Sequence, residues 1–214
     1  MALLSRKDSK LILDPLTDDN PITIQVLGIC SALAITAQLK ASIVMAVSVI
    51  AVMAIGNVVI SLMRNIIPSK IRIIVQLIVV ASLVIMVDQV LKAYAYELSK
   101  QLSVFIGLII TNCIIMGRFE AFALGNNPWR SLLDGIGNAA GYGLILVIVG
   151  FFRELLGSGT LLGYKVLGDP IEKTGLYALG YENNGFMLLS PMALIVIGII
   201  IWVQRTRNKD LIEE

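Results

Sequence analysis

Histidine is absent from this 214-residue sequence, cysteine occurs twice, and charged residues make up only 15% of the chain. Without histidine there are no imidazole metal ligands and no histidine general bases. A soluble domain usually carries about 25% charged residues. The scarcity of charge, together with 57% apolar residues and a mean hydropathy of +0.86, excludes a cytosolic enzyme and an intrinsically disordered chain. The net charge of +2 gives no electrostatic footprint for nucleic acid. The composition therefore predicts an all-α polytopic membrane protein.

Six apolar runs predict six transmembrane helices. A helix needs about 20 apolar residues to cross the hydrocarbon layer. The first and fourth runs have only 16 residues each, which gives a helix of about 24 Å, so these two helices are predicted to be short or broken. The runs are Ile22–Ala37, Ala41–Met63, Ile73–Leu91, Leu102–Gly117, Ile136–Phe152 and Phe186–Val203.

The positions of the two short runs predict an internal repeat. Residues 22–91 and 102–203 each contain three runs and each begin with a short one, so they are predicted to be inverted repeats of one membrane domain, 22–203. Short spans at matching positions of two halves indicate a site at mid-depth. The arm 1–21 and the tail 204–214 are predicted to be cytoplasmic, because eleven of the 17 Lys and Arg residues then lie on the inner side and six on the outer.

Each short run carries one cysteine, Cys30 in the first and Cys113 in the fourth. Thiolates are soft ligands that suit iron–sulfur clusters, zinc and cuprous ions. A 2Fe–2S cluster takes four ligands, so a second polypeptide would have to supply two. Gly28, Ser31 and Asn112 lie beside the cysteines and suit a helix break, because glycine permits close approach and polar side chains cap helix ends. The alternative is that both cysteines are small packing residues among ordinary helix–helix contacts.

Two acidic residues lie in or beside the apolar runs and are candidates for an ion pathway. Asp88 is near the outer end of the third run, and Asp134 is at the inner entrance of the fifth. Ionisable residues within a membrane are commonly functional, and sodium prefers hard oxygen ligands. The alternatives are a helical ion pair of Asp88 with Lys92 and a helix-start charge for Asp134. No GxGxxG motif stands between a strand and a helix, so no NADH or flavin site is predicted.

Several segments of the chain, from about Asn20 to Trp202, resemble one family of membrane proteins. This family comprises the integral D and E subunits of the sodium-translocating NADH:quinone oxidoreductase and their relatives in the Rnf complex. The N-terminal arm with Asp14-Pro15 and the segment Asn184–Pro191 are most similar to the D branch. The segments that carry the resemblance are LGICSALA from Leu27, GLIITNCIIMGR from Gly107, DGIGN from Asp134 and GFFRELLGSG from Gly150.

The resemblance implies six helices in inverted halves and a 2Fe–2S cluster shared with a sister protein, the E subunit. Cys30 and Cys113 would be the ligands from this chain, and the E subunit would supply two more. The complex would have six subunits, lie in the bacterial inner membrane and carry electrons from a cytoplasmic flavin and iron–sulfur subunit to a flavin domain on the outer side. This chain alone is expected to have no activity. An equivalent subunit of an Rnf-type ferredoxin:NAD complex, a small secondary transporter and a structural scaffold remain alternatives.

Overall fold

The computed structural model describes residues 6–17, 19–68, 70–94, 107–162, 164–165 and 185–207. The regular secondary structure of the described part is helical apart from one short antiparallel hairpin, in which Thr160 lies opposite Lys165. A single helical turn covers residues 107–110. The other elements are α1 (Arg6–Thr17), α2 (Ile29–Ile35), α3 (Leu39–Met63), α4 (Arg72–Tyr94), α5 (Cys113–Arg118), a π-helix (Phe119–Ala123), α6 (Pro128–Ser158), β1 (Thr160–Leu161), β2 (Tyr164–Lys165), a 3-10 helix (Gly185–Leu188) and α7 (Ser190–Arg207).

Some of the segments predicted from the sequence lie outside the described residues. They include the start of the fourth apolar run within 95–106, most of the polar loop that follows α6 within 166–184, and most of the C-terminal tail at 208–214. The predictions for these segments are therefore not tested.

Three of the described helices are long and apolar enough to cross a membrane, namely α3, α4 and α6. They correspond to the second, third and fifth apolar runs. α7 is the shorter helix of the sixth run, with 18 residues. The all-α class of the membrane protein is confirmed, and the arrangement of six spans in inverted repeats stays a prediction.

The first and fourth apolar runs are both interrupted, as their lengths predict. In the first run only Ile29–Ile35 is helical, and this helix begins directly after Gly28, whose backbone is left-handed with φ of 81°. In the fourth run the helix stops after residue 110 and begins again at Cys113. Asn112 stands at this break with an extended backbone, and its side chain accepts a hydrogen bond from the backbone N–H of Ile114. Each run therefore contributes a short helix that begins next to its cysteine.

The core is built on the contact between α3 and α6. A Cβ atom at Gly135 would lie 2.8 Å from Asn57 Nδ2, and one at Gly143 would lie 2.9 Å from Ala46 Cβ. The residue number rises along α6 as it falls along α3, so the two helices are antiparallel. Small residues let helix backbones approach closely in membranes. The fully buried side chains around this contact are Val49, Val52, Met53, Ile60, Ile114, Ile115, Phe119, Ala139, Tyr142, Leu146 and Val149.

The N-terminal arm is a helix that lies against α6. A Cβ atom at Gly137 would be 2.9 Å from the Cα atom of Ile12. Asn20, which follows α1, donates from Nδ2 to the carbonyl oxygen of Gly141 at 3.1 Å. α6 therefore packs against α3 on one face and against α1 on another.

α4 lies at the outside of the bundle. Only 17% of the most apolar 18-residue stretch of α4 is buried, against 61% of that of α6. Val80, Val84 and Gln76 face the core, whereas Ile73, Ile78 and other large apolar side chains of α4 are exposed. An apolar surface of this kind suits lipid or another membrane subunit.

Candidate metal centre

The structure brings the two cysteine-bearing segments into direct contact. The backbone N–H of Gly28 donates a hydrogen bond of 2.9 Å to the sulfur of Cys113. Gly28 is two residues before Cys30, so the start of α2 lies against the thiol at the start of α5. Both cysteines are free thiols, and both are exposed on the surface of the chain.

Gly28 is required at this contact for two reasons. Its φ of 81° is a left-handed conformation, which strains a residue with a Cβ atom. A Cβ atom at this position would also lie 2.7 Å from Cε2 of Tyr142. Glycine at this position predicts a close backbone approach, and the Tyr142 ring is one group that is approached.

Three buried polar side chains lie behind the cysteines and join the two segments to α6. The hydroxyl groups of Ser31 and Tyr142 share a hydrogen bond of 2.5 Å. Asn112 donates from Nδ2 to Ser31 Oγ and to the Tyr142 hydroxyl, at 3.3 Å in each case. The relative exposures of Ser31, Asn112 and Tyr142 are 3%, 4% and 0%. Ser31 and Asn112, which stand beside the two cysteines, are therefore hydrogen-bonded to each other and both to Tyr142.

Tyr142 is the residue of this site that sequence reasoning missed. It stands in the sequence Gly141-Tyr142-Gly143, in the middle of the fifth apolar run. A buried tyrosine hydroxyl usually has a hydrogen-bond partner. A single tyrosine in the middle of a long apolar run was therefore a usable signal for a polar contact at mid-depth.

The C-terminal end of α2 is attached to the C-terminal part of α6. Arg153 is 1% exposed, and its Nη1 donates to Thr36 Oγ1, directly after α2, at 2.5 Å. Its Nη2 donates to the carbonyl oxygen of Leu188 at 2.8 Å. The neighbouring Glu154 accepts a 2.5 Å hydrogen bond at Oε2 from the backbone N–H of Leu39. The turn between α2 and α3 is therefore held by two successive charged residues of α6.

The C-terminal end of α5 is attached to the N-terminal part of α6 by an ion pair. Arg118 Nε donates to Asp134 Oδ2 at 3.0 Å, and Arg118 Nη2 pairs with Asp134 Oδ1. Asn138 donates to the same Oδ1 at 3.0 Å. The Asp134 side chain is only 1% exposed. The structure therefore gives Asp134 a bidentate partner, and its role in an ion pathway stays a prediction.

Asp88 lies apart from these groups on α4. Its Oδ2 is 2.6 Å from Lys92 Nζ, one helical turn away, which is the ion pair that the sequence allowed. Within the described part of the chain, no group of three or more His, Cys, Asp or Glu residues could hold a metal ion. A complete thiolate site would therefore need ligands beyond those that the described residues bring together.

α6 contacts both cysteine-bearing helices at points along its length. Asp134, Tyr142 and Arg153 lie on this one continuous helix. A rise of 1.5 Å per residue puts Asp134 and Arg153 about 29 Å apart, close to the thickness of the hydrocarbon core. Tyr142 stands between them. The two short helices are attached to α6 at their far ends and meet at their cysteine ends. This arrangement is typical of a helical membrane protein with broken helices.

The family is shown by comparison with known sequences. The profile of the family described as "Rnf-Nqr subunit, membrane protein" matches residues 9–201, and the chain belongs to this family.

Two close relatives carry the same name, which is that of the D subunit of the Na(+)-translocating NADH-quinone reductase. The one from Haemophilus ducreyi is 55% identical over 205 residues, which is 96% of this chain and 97% of the relative. The one from Yersinia enterocolitica is 53% identical over 210 residues, which is 98% of each chain. The resemblance to the D branch, drawn from the sequence motifs, is confirmed.

Proposed function

We propose that this chain is a membrane subunit of a sodium-translocating NADH:quinone reductase and that Cys30 and Cys113 supply half of the ligands of a 2Fe–2S cluster. The observation that carries the proposal is the 2.9 Å hydrogen bond from Gly28 N–H to Cys113 Sγ. It supports a shared site because it places the start of one cysteine helix on the thiol of the other.

The exposure of both thiols supports ligation over packing. Free cysteine is among the residues most often buried, and a small packing residue would be expected inside the bundle. Both cysteines are instead exposed. Two thiols that face outward from one chain suit a site completed by two more from a sister protein, which in this family would be the E subunit.

The residues present fit a soft, anionic metal centre. Thiolates are the preferred ligands of iron–sulfur clusters, and a backbone N–H donor on a sulfur stabilises its negative charge. Gly28 provides such a donor to Cys113. When bound, the cluster would supply one-electron transfer at a point between the two faces of the membrane. Such a point divides a hydrocarbon layer of about 30 Å into two shorter steps.

The proposal includes the membrane arrangement that the sequence predicts. Six spans in two inverted halves would place α2 and α5 at equivalent positions, with both termini in the cytoplasm of a bacterial inner membrane. The two interrupted helices support this arrangement, since broken helices at matching positions of inverted halves surround a site at mid-depth.

An equivalent subunit of an Rnf-type complex is the second candidate, because the family description includes both complexes. The names of the relatives favour the quinone reductase. The purified complex would therefore transfer electrons from NADH to quinone. Transfer from reduced ferredoxin to NAD would favour the Rnf-type complex instead.

The test is an analysis of iron and acid-labile sulfide in the intact complex, purified with Cys30→Ser or Cys113→Ser in this chain. Ser48→Ala is the control, because buried Ser48 donates only within α3, to the carbonyl oxygen of Val44. Each cysteine variant is expected to lack the iron and sulfide of one cluster and to lose quinone reduction. The control is expected to keep the cluster and the quinone reduction. Full iron, full sulfide and normal electron flow in both variants would leave a scaffold role. Substrate uptake by this chain alone, with the cysteines replaced, would indicate a secondary transporter.

A further inference from the structure

Tyr142 holds a central position in the candidate metal centre, although it is no metal ligand. Its side chain is fully buried, and its hydroxyl is bonded to the residue that follows Cys30 and to the residue that precedes Cys113. These are Ser31, at 2.5 Å, and Asn112, at 3.3 Å. One hydroxyl group of α6 therefore links the starts of both cysteine helices.

The ring of Tyr142 makes a second, separate contact with the site. A Cβ atom added to Gly28 would be 2.7 Å from Cε2 and 3.1 Å from Cδ2 of the ring, so the Gly28 backbone packs directly on the ring. The N–H group of the same residue donates to Cys113 Sγ. The ring therefore supports the backbone that supplies the hydrogen bond to the sulfur.

We propose that Tyr142, with Ser31 and Asn112, is a positioning residue that fixes the two cysteine sulfurs relative to each other and to the Gly28 N–H group. This inference depends on the proposed function and extends it. Through this placement Tyr142 sets the reduction potential and the spectroscopic signature of the shared iron–sulfur centre.

The direction of the effect follows from the charge of the centre. Hydrogen bonds to the sulfurs are among the factors that set the potential of an iron–sulfur cluster. Reduction adds negative charge, which an N–H donor at a ligand sulfur stabilises. Loss of the ring behind Gly28 weakens this donor, so the potential falls. Loss of the hydroxyl alone keeps the ring contact and releases Ser31 and Asn112, so the same shift is smaller.

The experiment is a redox titration of the intact complex, followed by low-temperature electron paramagnetic resonance. The variants of this chain are Tyr142→Leu, Tyr142→Phe and Ser31→Ala, with Ser48→Ala as the matched control. Tyr142→Leu is expected to change the oxidised-to-reduced ratio at fixed potential about tenfold, which is 59 mV for a one-electron couple. Tyr142→Phe and Ser31→Ala are expected to shift the potential less, in the same direction, and to change the g values. The control is expected to match the wild type.

The outcomes separate this inference from the proposed function. A cluster that depends on both cysteines, but keeps its potential and g values in Tyr142→Phe and Ser31→Ala, overturns the positioning role and leaves the proposed function standing. A complex whose cluster survives both cysteine replacements overturns both. If the complex with Tyr142→Leu does not assemble, Tyr142→Phe and Ser31→Ala test the positioning role, because each removes one oxygen atom and keeps the packing.

Discussion

The two short helices α2 and α5 have the same task in the structure and perform it with different chemistry. Each begins next to a cysteine, and each is attached to α6 at its far end. α2 begins at a left-handed glycine with no side-chain cap, whereas α5 begins at Asn112, which caps it. The far end of α2 is held by a hydrogen bond from Arg153 to the neutral hydroxyl oxygen of Thr36, and that of α5 by the ion pair of Arg118 with Asp134.

The two short helices do not need the same sequence to play the same part. Each has a place where the helix is interrupted, a thiol beside it and a connection to α6. A left-handed glycine and a capping asparagine both satisfy the first requirement, so the residues can differ while the geometry is alike.

The largest expected effect is at the far end of α5. Replacing Asp134 with Ala leaves Arg118, whose side chain is only 16% exposed, without its carboxylate partner, and a loss of about 3 kcal/mol is expected. The double replacement Arg118→Met with Asp134→Leu removes both charges and is expected to recover most of that loss. Thermal unfolding of the purified complex in detergent measures both. If the single variant is as stable as the wild type, the ion pair does not hold α5.

The same variants address the ion pathway predicted for Asp134. If the carboxylate serves mainly to anchor α5, Asp134→Ala weakens the iron–sulfur signal and the rescued double variant restores it, with no change in the sodium dependence of turnover. An altered sodium dependence in the rescued variant would support the pathway instead.

The next effect is at the start of α2. Gly28→Ala combines a strained backbone with a contact against the Tyr142 ring, and about 3 kcal/mol of destabilisation is expected. Gly198→Ala in α7 is the control, because a Cβ atom there meets no atom within 4 Å. Alanine in this open helical position is expected to stabilise by about 0.5–1 kcal/mol. Equal unfolding temperatures for the two variants would contradict the requirement for glycine at residue 28.

A smaller effect is expected at the start of α5. Asn112→Ala removes the side chain that accepts from Ile114 N–H and donates to Ser31 and Tyr142. A loss of about 2 kcal/mol is expected, about 1 kcal/mol from the N-cap and about 1 kcal/mol from the buried hydrogen bonds. Asn127 stands at the equivalent position of α6 without a side-chain capping bond, so Asn127→Ala is the control. It is expected to change the free energy of unfolding by only about 0.3 kcal/mol. A larger loss in the control would show that the cap is not what fixes α5.

The smallest effect is expected on α4, away from both short helices. Asp88 pairs with Lys92, whose side chain is 46% exposed, and such a pair contributes less than about 1 kcal/mol. Asp88→Asn should therefore leave thermal stability almost unchanged at moderate salt. A loss comparable to that of Asp134→Ala would mean that Asp88 is engaged more deeply than its ion pair indicates.

The sequence predicted much of the fold from patterns that act locally. Run lengths indicated which helices would be short, and Gly28 and Asn112 marked both interruptions, because backbone freedom and capping depend on neighbouring residues. The partners of Arg118 and Tyr142 could not be predicted, since they depend on how α5 and α2 pack against α6. The paired short runs predicted that the two cysteine segments share a site, but not that the Gly28 N–H would donate to Cys113, because 85 positions separate Gly28 from that thiol.

The central claim is that Cys30 and Cys113 are ligands of one centre, and low-temperature electron paramagnetic resonance of the reduced, intact complex tests it most directly. Loss of the same iron–sulfur signal in both Cys30→Ser and Cys113→Ser, with the signal retained in Ser48→Ala, is the predicted result. A signal of unchanged shape and intensity in either cysteine variant would contradict the claim.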